Sequence, residues 1–551
     1  MRSFSSLSVP VAIGLSLNSG VLADPAYQPC PLLRAYYPAP TIDKISSTIQ
    51  SFTKEFTSIF DGLIKARGSE DFGQITPNTT SFSVVLFSNT ENAEDNSIFF
   101  EYHHTAPKTA AKSTVNADTV FPLGTLSQLF TVYSWLVEVG DEEWGTPITH
   151  FLPELKSNYS AKLTVNWDDI TIGALAGQLS GLARDSFACK LNEPCDRTNF
   201  VEKFSMQPPL FFPDTTPVIS NAAFQLLALA LEAQNSQNET SSFEEILSTG
   251  IFNTINMSSS GLLQSVDKER IFAQDLNVTA IGEPAALSMV STASDLAKAG
   301  RSMLNSRLIS KGATRRWLQP IADTSNLRNG VGRPWEIYHA GKYANSSILD
   351  VFTKTGLIGH YASYFGLAPD FNAGFAILAH DAEAARGPDL NVYADIVSLA
   401  VVQLQKLAAA EMTQRYADVY EGPDGAATFN ISKDGTGLVV SSLTSKGVDL
   451  RAEVAAAVGI KPEDLDFRLY PSNVATENQH QFVAVFQHQF VAVFQDKSAP
   501  VDMGTPTCIT WQDVDSLGSS FDVRVVFDMH VSGKASKVSL ANGSLVLPRS
   551  G

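Results

Sequence analysis

Apolar positions recur at helical spacing in several parts of the chain. Between residues 42 and 67, Ile45, Ile49, Phe52, Phe56 and Phe60 fall on one face of a helix with about 3.6 residues per turn, which predicts an amphipathic helix. Four further helices are predicted at Ser127–Val139, Asn221–Leu231, Thr292–Leu304 and Leu390–Ala417. In the third of these, a Thr followed three residues later by Asp has the spacing of a capping box.

Strand-like runs flank these helices on both sides. They extend over 81–88 and 97–104 before the helices, and over 348–354, 362–367 and 373–379 after most of them. Because strands at the two ends enclose helices in the middle, we expect an α+β domain whose sheet is assembled from both ends of the region.

The pattern changes after Glu421 to short β-rich runs. Turn-forming dipeptides occur at Asp434-Gly435 and Asn542-Gly543. We therefore expect a separate β-rich C-terminal domain over residues 421–551.

A perfect tandem repeat lies inside this C-terminal region. The octapeptide His480–Gln487 is followed directly by an identical copy at His488–Gln495. Its even period preserves which side chains of a strand face inward. We interpret it as a recent duplication or a sequence artefact rather than a functional motif.

Composition and charge narrow the class of protein. The 551 residues are 44% hydrophobic, and 57 acidic residues exceed 39 basic ones, for a formal net charge of −18. This composition indicates a globular protein. A strongly acidic surface repels nucleic acid and anionic lipid, so a small, neutral or apolar ligand is the expected partner. We expect no cofactor.

The N-terminus has the pattern of a secretory signal peptide over residues 1–23. Arg2 supplies the positive charge, Val9–Leu17 is mostly apolar, and small residues end at Ala23, so that the mature chain begins near Asp24. A buried first helix is the alternative, which a proline and a glycine within the segment disfavour. We expect a secreted or secretory-pathway protein with no membrane-spanning segment.

Glycosylation sequons agree with export. Eight Asn-x-Ser/Thr sequences are candidate sites, and any one of them is short enough to occur by chance. They are Asn78, Asn158, Asn238, Asn256, Asn277, Asn345, Asn430 and Asn542.

The four cysteines are an even number, which favours disulfides in an exported protein. Cys189 and Cys195 are close enough in sequence to close a small loop, which leaves Cys30 to join the N-terminal arm to Cys508. Zinc is the alternative, but no Cys-x-x-Cys pair or nearby His supports it.

Three stretches carry a family resemblance. They are Leu123–Thr131 at the start of an apolar helix, Pro217–Gln225, and Phe352–Tyr364. In order and context they resemble the serine β-lactamase and penicillin-binding-protein superfamily, specifically class C-like fungal β-lactamase-related proteins with an added C-terminal domain. The resemblance implies an antiparallel sheet flanked by helices, plus a helical subdomain, over residues 24–420.

In that family, Ser-x-x-Lys supplies the nucleophile and its base, Tyr-x-Asn supplies a proton relay and a substrate-binding amide, and Lys-Thr-Gly lies on the facing sheet edge. Here Thr125, Gln128 and Ile219 stand where the family has Ser, Lys and Tyr. Gln takes up no proton at useful pH, and Ile has none to transfer. The matching residues that remain are Asn221, Lys354, Thr355 and Gly356.

These substitutions favour a cleft that binds a small acyl or cyclic ligand, or that promotes a non-hydrolytic step in natural-product biosynthesis. Asn221, Lys354 and Thr355, with the backbone N–H groups of Thr125 and Leu357, are its expected polar contacts. One alternative is an acyl hydrolase, of the esterase or β-lactamase type, that uses Thr125 with an unrecognised base. Another is a non-catalytic secreted interaction protein.

Two further side chains are candidates for the cleft. His360 and Tyr361 follow the Lys-Thr-Gly motif and would face a ligand if the turn points inward. The simpler interpretation of His360 is an ordinary loop residue, since a catalytic His needs an orienting partner. No metal site is indicated.

Overall fold

The computed structural model describes residues 31–34, 36–89, 98–109, 114–156, 165–186, 196–235, 241–276, 281, 283–326, 328–340, 349–431, 437–488, 514 and 522–550. The predicted signal peptide, all four cysteines, the turn at Asp434-Gly435 and the sequons at Asn158, Asn238, Asn277 and Asn345 lie outside these residues. The chain divides into two compact units, Leu33–Tyr416 and a unit that contains the residues from Ala417 onward.

The first unit combines helices with short and long strands. Its helices are α1 Ser47–Ala66, α2 Ser127–Glu138, α3 Ile148–Phe151, α4 Ile172–Ala176, α5 Arg197–Ser205, α6 Asn221–Asn235, α7 Phe243–Leu247, α8 Pro284–Leu287, α9 Ala293–Leu304, α10 Lys311–Trp317 and α11 Asn391–Tyr416. Its strands are β1 Gly68–Ser69, β2 Gly73–Gln74, β3 Thr80–Ser88, β4 Ile98–His104, β5 Phe121–Pro122, β6 Gly261–Leu262, β7 Met289–Ser291, β8 Ala322–Asp323, β9 Asn329–Val331, β10 Glu336–Ala340, β11 Leu349–Ile358, β12 Tyr361–Ala368 and β13 Ala373–Asp381.

An eight-stranded antiparallel sheet forms the centre of this unit, in the order β4-β3-β13-β12-β11-β10-β9-β8. Strands β3 and β13 are neighbours although they lie far apart in the chain, and Val84 pairs with Ile377. The predicted assembly of one sheet from both ends of the region is therefore confirmed. Strand β11, which carries Lys354 and Thr355, lies between β12 and β10.

Helix α1 shows how the apolar pattern becomes a packed face. It begins after Ser46, whose side chain accepts a hydrogen bond from the N–H of Ile49. Phe52 and Phe56 stack with ring centroids 4.4 Å apart, and Phe56 also meets Phe100 of β4. The prediction was wrong at Ile45, which precedes the helix and is 81% exposed.

Helices α2 and α6 form the centre of the helical part. Every residue of α2 from Ser127 to Leu136 is buried, so this helix has no solvent-facing polar stripe. Its polar side chains are therefore inside the protein and need partners there. Gln128 is one of them, and Asn221, at the start of α6, lies beside it.

Helix α11 is long and apolar enough to cross a membrane, judged by length and composition, and is the one such helix among the described residues. Part of its apolar surface is buried in the unit; Tyr393, for example, packs against Phe82 with ring centroids 4.7 Å apart. Core helices of soluble proteins have the same composition. The expected lack of a membrane-spanning segment stays a prediction.

The second unit is β-rich, as predicted. Its strands are β14 Asp418–Gly422, β15 Gly425–Ile431, β16 Leu438–Ser445, β17 Val448–Asp449, β18 Leu465–Ala475, β19 Gln479–His488, β20 Arg524–Met529, β21 Ala535–Leu540 and β22 Val546–Pro548, with one helix, α12 Leu450–Ala457. The sheet runs β14-β15-β16-β18-β19-β20-β21-β22. A bridge joins Tyr420 of the first strand to Arg549, the residue directly after the last strand, so the sheet nearly closes on itself.

The first copy of the octapeptide repeat lies in β19, paired with β18 on one side and β20 on the other. Phe482, Ala484 and Phe486 are buried in this strand. The second copy, apart from the backbone of its first residue, lies outside the described residues.

Candidate functional site

A short 3-10 turn, Gly124–Leu126, lies directly against the backbone of β11. Two glycines allow this approach. A Cβ on Gly356 would lie 1.9 Å from the carbonyl oxygen of Leu123, and a Cβ on Gly124, whose φ is +58°, would lie 2.5 Å from the carbonyl carbon of Leu357. The fold therefore brings Thr125 together with the Lys-Thr-Gly strand.

The hydroxyl of Thr125 donates a hydrogen bond to a backbone carbonyl. Its Oγ1 lies 3.1 Å from the carbonyl oxygen of Thr355, and the residue is 7% exposed. The Nζ of Lys354 donates to the same oxygen at 3.2 Å. A backbone carbonyl is an acceptor but not a useful base, so this arrangement orients Thr125 without activating it.

Lys354 is fully buried and paired with a carboxylate on the adjacent strand. Its Nζ lies 2.6 Å from Oε1 of Glu336, at the start of β10. The second oxygen, Oε2, accepts hydrogen bonds from the backbone N–H of Thr355 at 3.0 Å and from its hydroxyl at 2.8 Å. One carboxylate therefore engages three donors of the Lys-Thr-Gly motif.

On the other side of the site, Gln128 and Asn221 form an amide pair. Nε2 of Gln128 donates to Oδ1 of Asn221 at 3.0 Å, and Nδ2 of Asn221 donates to Oδ1 of the exposed Asp185 at 2.6 Å. Gln128 is fully buried, and its Oε1 has no hydrogen-bond partner within the described part of the chain. These contacts fix the orientation of the Asn221 amide.

A buried acid lies behind Asp185. Glu283 is 2% exposed, and its Oε1 accepts a hydrogen bond from the N–H of Ser186 at 2.9 Å. Burial raises the pKa of Glu283 to about 8, and the neighbouring Asp185 charge contributes to this rise. At neutral pH Glu283 is therefore mostly protonated and can donate a hydrogen bond to Asp185.

Ile219 is half-buried in the extended segment that leads into α6. The backbone N–H of Asn221, two residues later, donates to the carbonyl of Arg184 at 2.6 Å, which fixes the start of the helix. The aliphatic side chain of Ile219 supplies no hydrogen-bonding group.

His360 lies in the turn between β11 and β12, and Tyr361 is the first residue of β12. The Tyr361 hydroxyl lies 2.7 Å from the carbonyl oxygen of Phe272 and 2.8 Å from Oδ1 of Asp275, and the ring is fully buried. Nδ1 of His360 lies 3.0 Å from the carbonyl oxygen of Asp381. Burial and the Asp275 charge raise the pKa of Tyr361. The ligand contact expected of both residues stays a prediction.

Sequence reasoning missed Glu336, Asp185 and Glu283. None of them belongs to a motif, and their roles depend on strand register and loop packing. Glu336 pairs with Thr353 across β10 and β11, which places its carboxylate beside the next two residues of β11. No three metal-ligating side chains cluster anywhere in the described ranges.

Comparisons with known proteins agree with this geometry. Residues 92–398 match the sequence model of the Beta-lactamase family, and residues 408–551 match that of the Beta-lactamase-like-like C-terminal domain. A curated relative, the "Beta-lactamase-like protein" of Arthroderma benhamiae, is 23% identical over 473 aligned positions, and the match covers 76% of each chain.

One solved structure shows the same fold. The chain resembles the β-lactamase/D-alanine carboxypeptidase of Yersinia pestis, complexed with citrate, with a TM-score of 0.50 and 16% identity over 64% of this chain and 99% of that one. A class C β-lactamase matches with a TM-score of 0.48 and 16% identity, over 66% of this chain and 98% of the other. The resemblance and the fold class inferred from the motifs are confirmed.

Proposed function

The chain belongs to the β-lactamase family, and on this premise we propose that it is a secreted member that binds a small acyl or cyclic ligand without serine-type hydrolysis. The protein would act through binding, or by promoting a non-hydrolytic step in natural-product biosynthesis. The observation that carries the proposal is the hydrogen bond from Thr125 Oγ1 to the carbonyl oxygen of Thr355, at 3.1 Å.

Acyl transfer needs a group that removes the proton of the nucleophile. Three residues at the family's motif positions are candidates for that role, and each is unsuited. The amide of Gln128 is not a base and donates to Asn221. The amine of Lys354 already donates hydrogen bonds to Glu336 and to the carbonyl oxygen of Thr355. Ile219 has no ionisable group. Loss of one member of such a catalytic unit lowers the rate by roughly 10⁴ to 10⁶.

The same contacts suit a binding site. The 3-10 turn lies against strand β11 of the sheet, and Asn221 is held in a defined orientation by Gln128 and Asp185. Such fixed amide and hydroxyl groups orient a ligand at little entropic cost. A promoted cyclisation or isomerisation would need this positioning and no covalent intermediate.

One observation favours a second candidate, an acyl hydrolase that uses Thr125. Lys354 Nζ and Thr125 Oγ1 donate to the same carbonyl oxygen, so the Lys amine is close to the hydroxyl. If Lys354 lost its proton and its pairing with Glu336, it would be the nearest base.

Covalent labelling distinguishes the two candidates. Purified protein is incubated with a reactive β-lactam and with an activated ester, and its intact mass and peptide masses are measured. We expect no adduct at Thr125 and no turnover, as in the matched Thr125→Val variant. An adduct that disappears in Thr125→Val would overturn the proposal and support the hydrolase.

A reconstruction tests the alignment of the motifs. The triple variant Thr125→Ser, Gln128→Lys, Ile219→Tyr restores the family's residue types, and we expect measurable ester hydrolysis from it. Its control combines Thr125→Ala with the same changes at Gln128 and Ile219, so that the restored base and tyrosine have no nucleophile to act on. A folded but inert triple variant contradicts the assignment of these three positions.

We also propose export with glycosylation. The sequons within the described residues, Asn78, Asn256, Asn430 and Asn542, are all exposed and therefore accessible to glycosyl transfer. Expression with the native leader in a fungal host should give secreted protein that loses mass on treatment with an N-glycosidase. Intracellular, unmodified protein would contradict this.

A further inference from the structure

Glu336 is bound in the manner of a carboxylate ligand. Its two oxygens receive an ammonium at 2.6 Å, a backbone N–H at 3.0 Å and a hydroxyl at 2.8 Å. These three donors belong to Lys354 and Thr355, and all three bond to the Glu336 carboxylate. A positive charge with two further donors, arranged for both oxygens, is what recognition of a carboxylate needs.

The two members of the ion pair differ in their exposure to solvent. The Lys354 side chain is fully buried, whereas 26% of the Glu336 side chain is exposed. The carboxylate is therefore the solvent-exposed member of the pair, and an outside anion that paired with the Lys354 ammonium in its place would displace Glu336.

The Glu336 side chain also accepts a hydrogen bond from the backbone N–H of Thr355 in β11. Strand β10 begins at Glu336, whose partner is Thr353, so the N–H of Thr355 has no backbone partner on β10. The Glu336 side chain binds that N–H instead, while Thr125 and Lys354 bind the Thr355 carbonyl. The N–H and the carbonyl oxygen of Thr355, which a ligand at this strand would contact, are therefore already hydrogen-bonded within the protein.

We propose that Glu336 is an internal carboxylate that fills a carboxylate-binding site in the cleft, so that the folded protein selects uncharged ligands over carboxylates. This inference rests on the ligand-binding function proposed above and names its ligand class. The Lys354–Glu336 pair is neutral overall. A carboxylate ligand would have to separate this pair and would meet the repulsion of the displaced Glu336.

Chemical rescue tests whether the filled site is a carboxylate site. In Glu336→Ala the donors remain and the carboxylate is gone. Because a ligand that binds only the native state raises the melting temperature, 100 mM sodium acetate should raise the Tm of this variant by about 2 °C over sodium chloride at the same ionic strength. Wild type should show no difference between the two salts.

A matched control removes another carboxylate from an ion pair. Glu154→Ala breaks the exposed pair between Glu154 and Arg197, whose side chains are 41% and 46% exposed. Acetate should act on this variant as chloride does. Equal Tm values in acetate and chloride for Glu336→Ala, or an acetate effect of the same size in Glu154→Ala, overturn the proposal. If Glu336→Ala folds only in acetate, the proposal is supported.

A second variant tests selectivity without opening a cavity. Glu336→Gln keeps the side-chain volume and removes the negative charge. Binding of hippurate and of its neutral amide, hippuramide, is measured by calorimetry on wild type and on Glu336→Gln. We expect the ratio of hippurate to hippuramide affinity to rise about tenfold in the variant. An unchanged ratio, a wild type that prefers hippurate, or no hippurate binding by the folded variant overturns the proposal.

These outcomes are separate from those of the proposed function. Covalent labelling of Thr125 would overturn the non-hydrolytic function and leave the acetate and hippurate results unaffected. Conversely, an unlabelled Thr125 with no acetate rescue would leave the non-hydrolytic function in place and remove Glu336 as its specificity-determining residue.

Discussion

Two glutamates lie on opposite sides of the candidate site in contrasting surroundings. Glu336 is partly exposed and surrounded by donors from Lys354 and Thr355. Glu283 is buried, with one backbone N–H and the carboxylate of Asp185 as neighbours. The first environment supplies three hydrogen-bond donors to its carboxylate, whereas burial in the second raises the pKa of Glu283 and favours the protonated acid.

The comparison shows how this site differs from one built for acyl transfer. On the β11 side, the Lys354 amine is paired with the carboxylate of Glu336. On the α6 side, the acid holds its proton at neutral pH, and the amides of Gln128 and Asn221 carry no charge. Neither side offers a free base to Thr125, and both offer fixed hydrogen-bonding groups.

Removal of Glu336 should have the largest effect on stability. Glu336→Ala leaves the fully buried ammonium of Lys354 without its carboxylate, and breaking a buried pair in this way costs roughly 3 to 5 kcal/mol. The partial exposure of Glu336 places the expected loss at the lower end of that range. Urea denaturation, followed by tryptophan fluorescence, measures it in the first unit, which contains five of the six tryptophans.

The double variant Lys354→Met, Glu336→Ala sharpens this measurement. Because it removes the charge that was left unpaired, we expect it to be more stable than Glu336→Ala alone. The exposed pair Arg197–Glu154 supplies the reference, for which Glu154→Ala should cost about 0 to 1 kcal/mol. A loss in Glu336→Ala no larger than this reference would mean that the buried pair is not the stabilising contact described above.

The pH dependence of stability tests the other side of the comparison. The folded protein binds the Glu283 proton more tightly than the unfolded chain, because the pKa rises from 4.5 to about 8. Between these two values the unfolded state binds fewer protons, so the free energy of unfolding falls as pH rises. We expect a decline on the order of a few kcal/mol between pH 4.5 and 8.

Glu283→Gln keeps the size and hydrogen-bonding capacity of the protonated acid but does not ionise. It should remove most of that decline, and its stability relative to wild type should rise with pH and level off above about pH 8, where the wild-type acid is mostly ionised. Urea denaturation of both proteins at several pH values measures the difference between the two curves. Parallel curves would show that Glu283 is ionised in the folded protein at neutral pH.

The sequence predicted the fold in outline because its signals were local. The apolar spacing of Phe52, Phe56 and Phe60 defines α1 within a few residues of its ends, and the strand-like runs before and after the helices predicted a sheet that joins both ends of the chain. Strands β8, β9 and β10, which lie toward one edge of the sheet, were missed because they are short and carry no clear alternation of apolar and polar residues.

The candidate site was predictable only where a motif marked it. Thr125, Asn221 and Lys354 were identified from the order and context of the three stretches. Glu336 was not, since its part depends on which residue of β10 pairs with Thr353. Strand register is a property of the folded sheet, and no local pattern in the chain reports it.

The smallest expected effect concerns Gln128, the buried amide on the α6 side of the site that donates to Asn221. Gln128→Met replaces a buried amide by an apolar side chain of similar size. It removes one hydrogen bond to Asn221, but it also removes an amide oxygen that has no partner among the described residues. We therefore expect a loss of about 1 kcal/mol or less, measured by urea denaturation. A loss above about 3 kcal/mol would instead show that the amide oxygen of Gln128 is hydrogen-bonded in the folded protein, to a water or to a segment outside those residues. The pair of amides would then contribute strongly to stability.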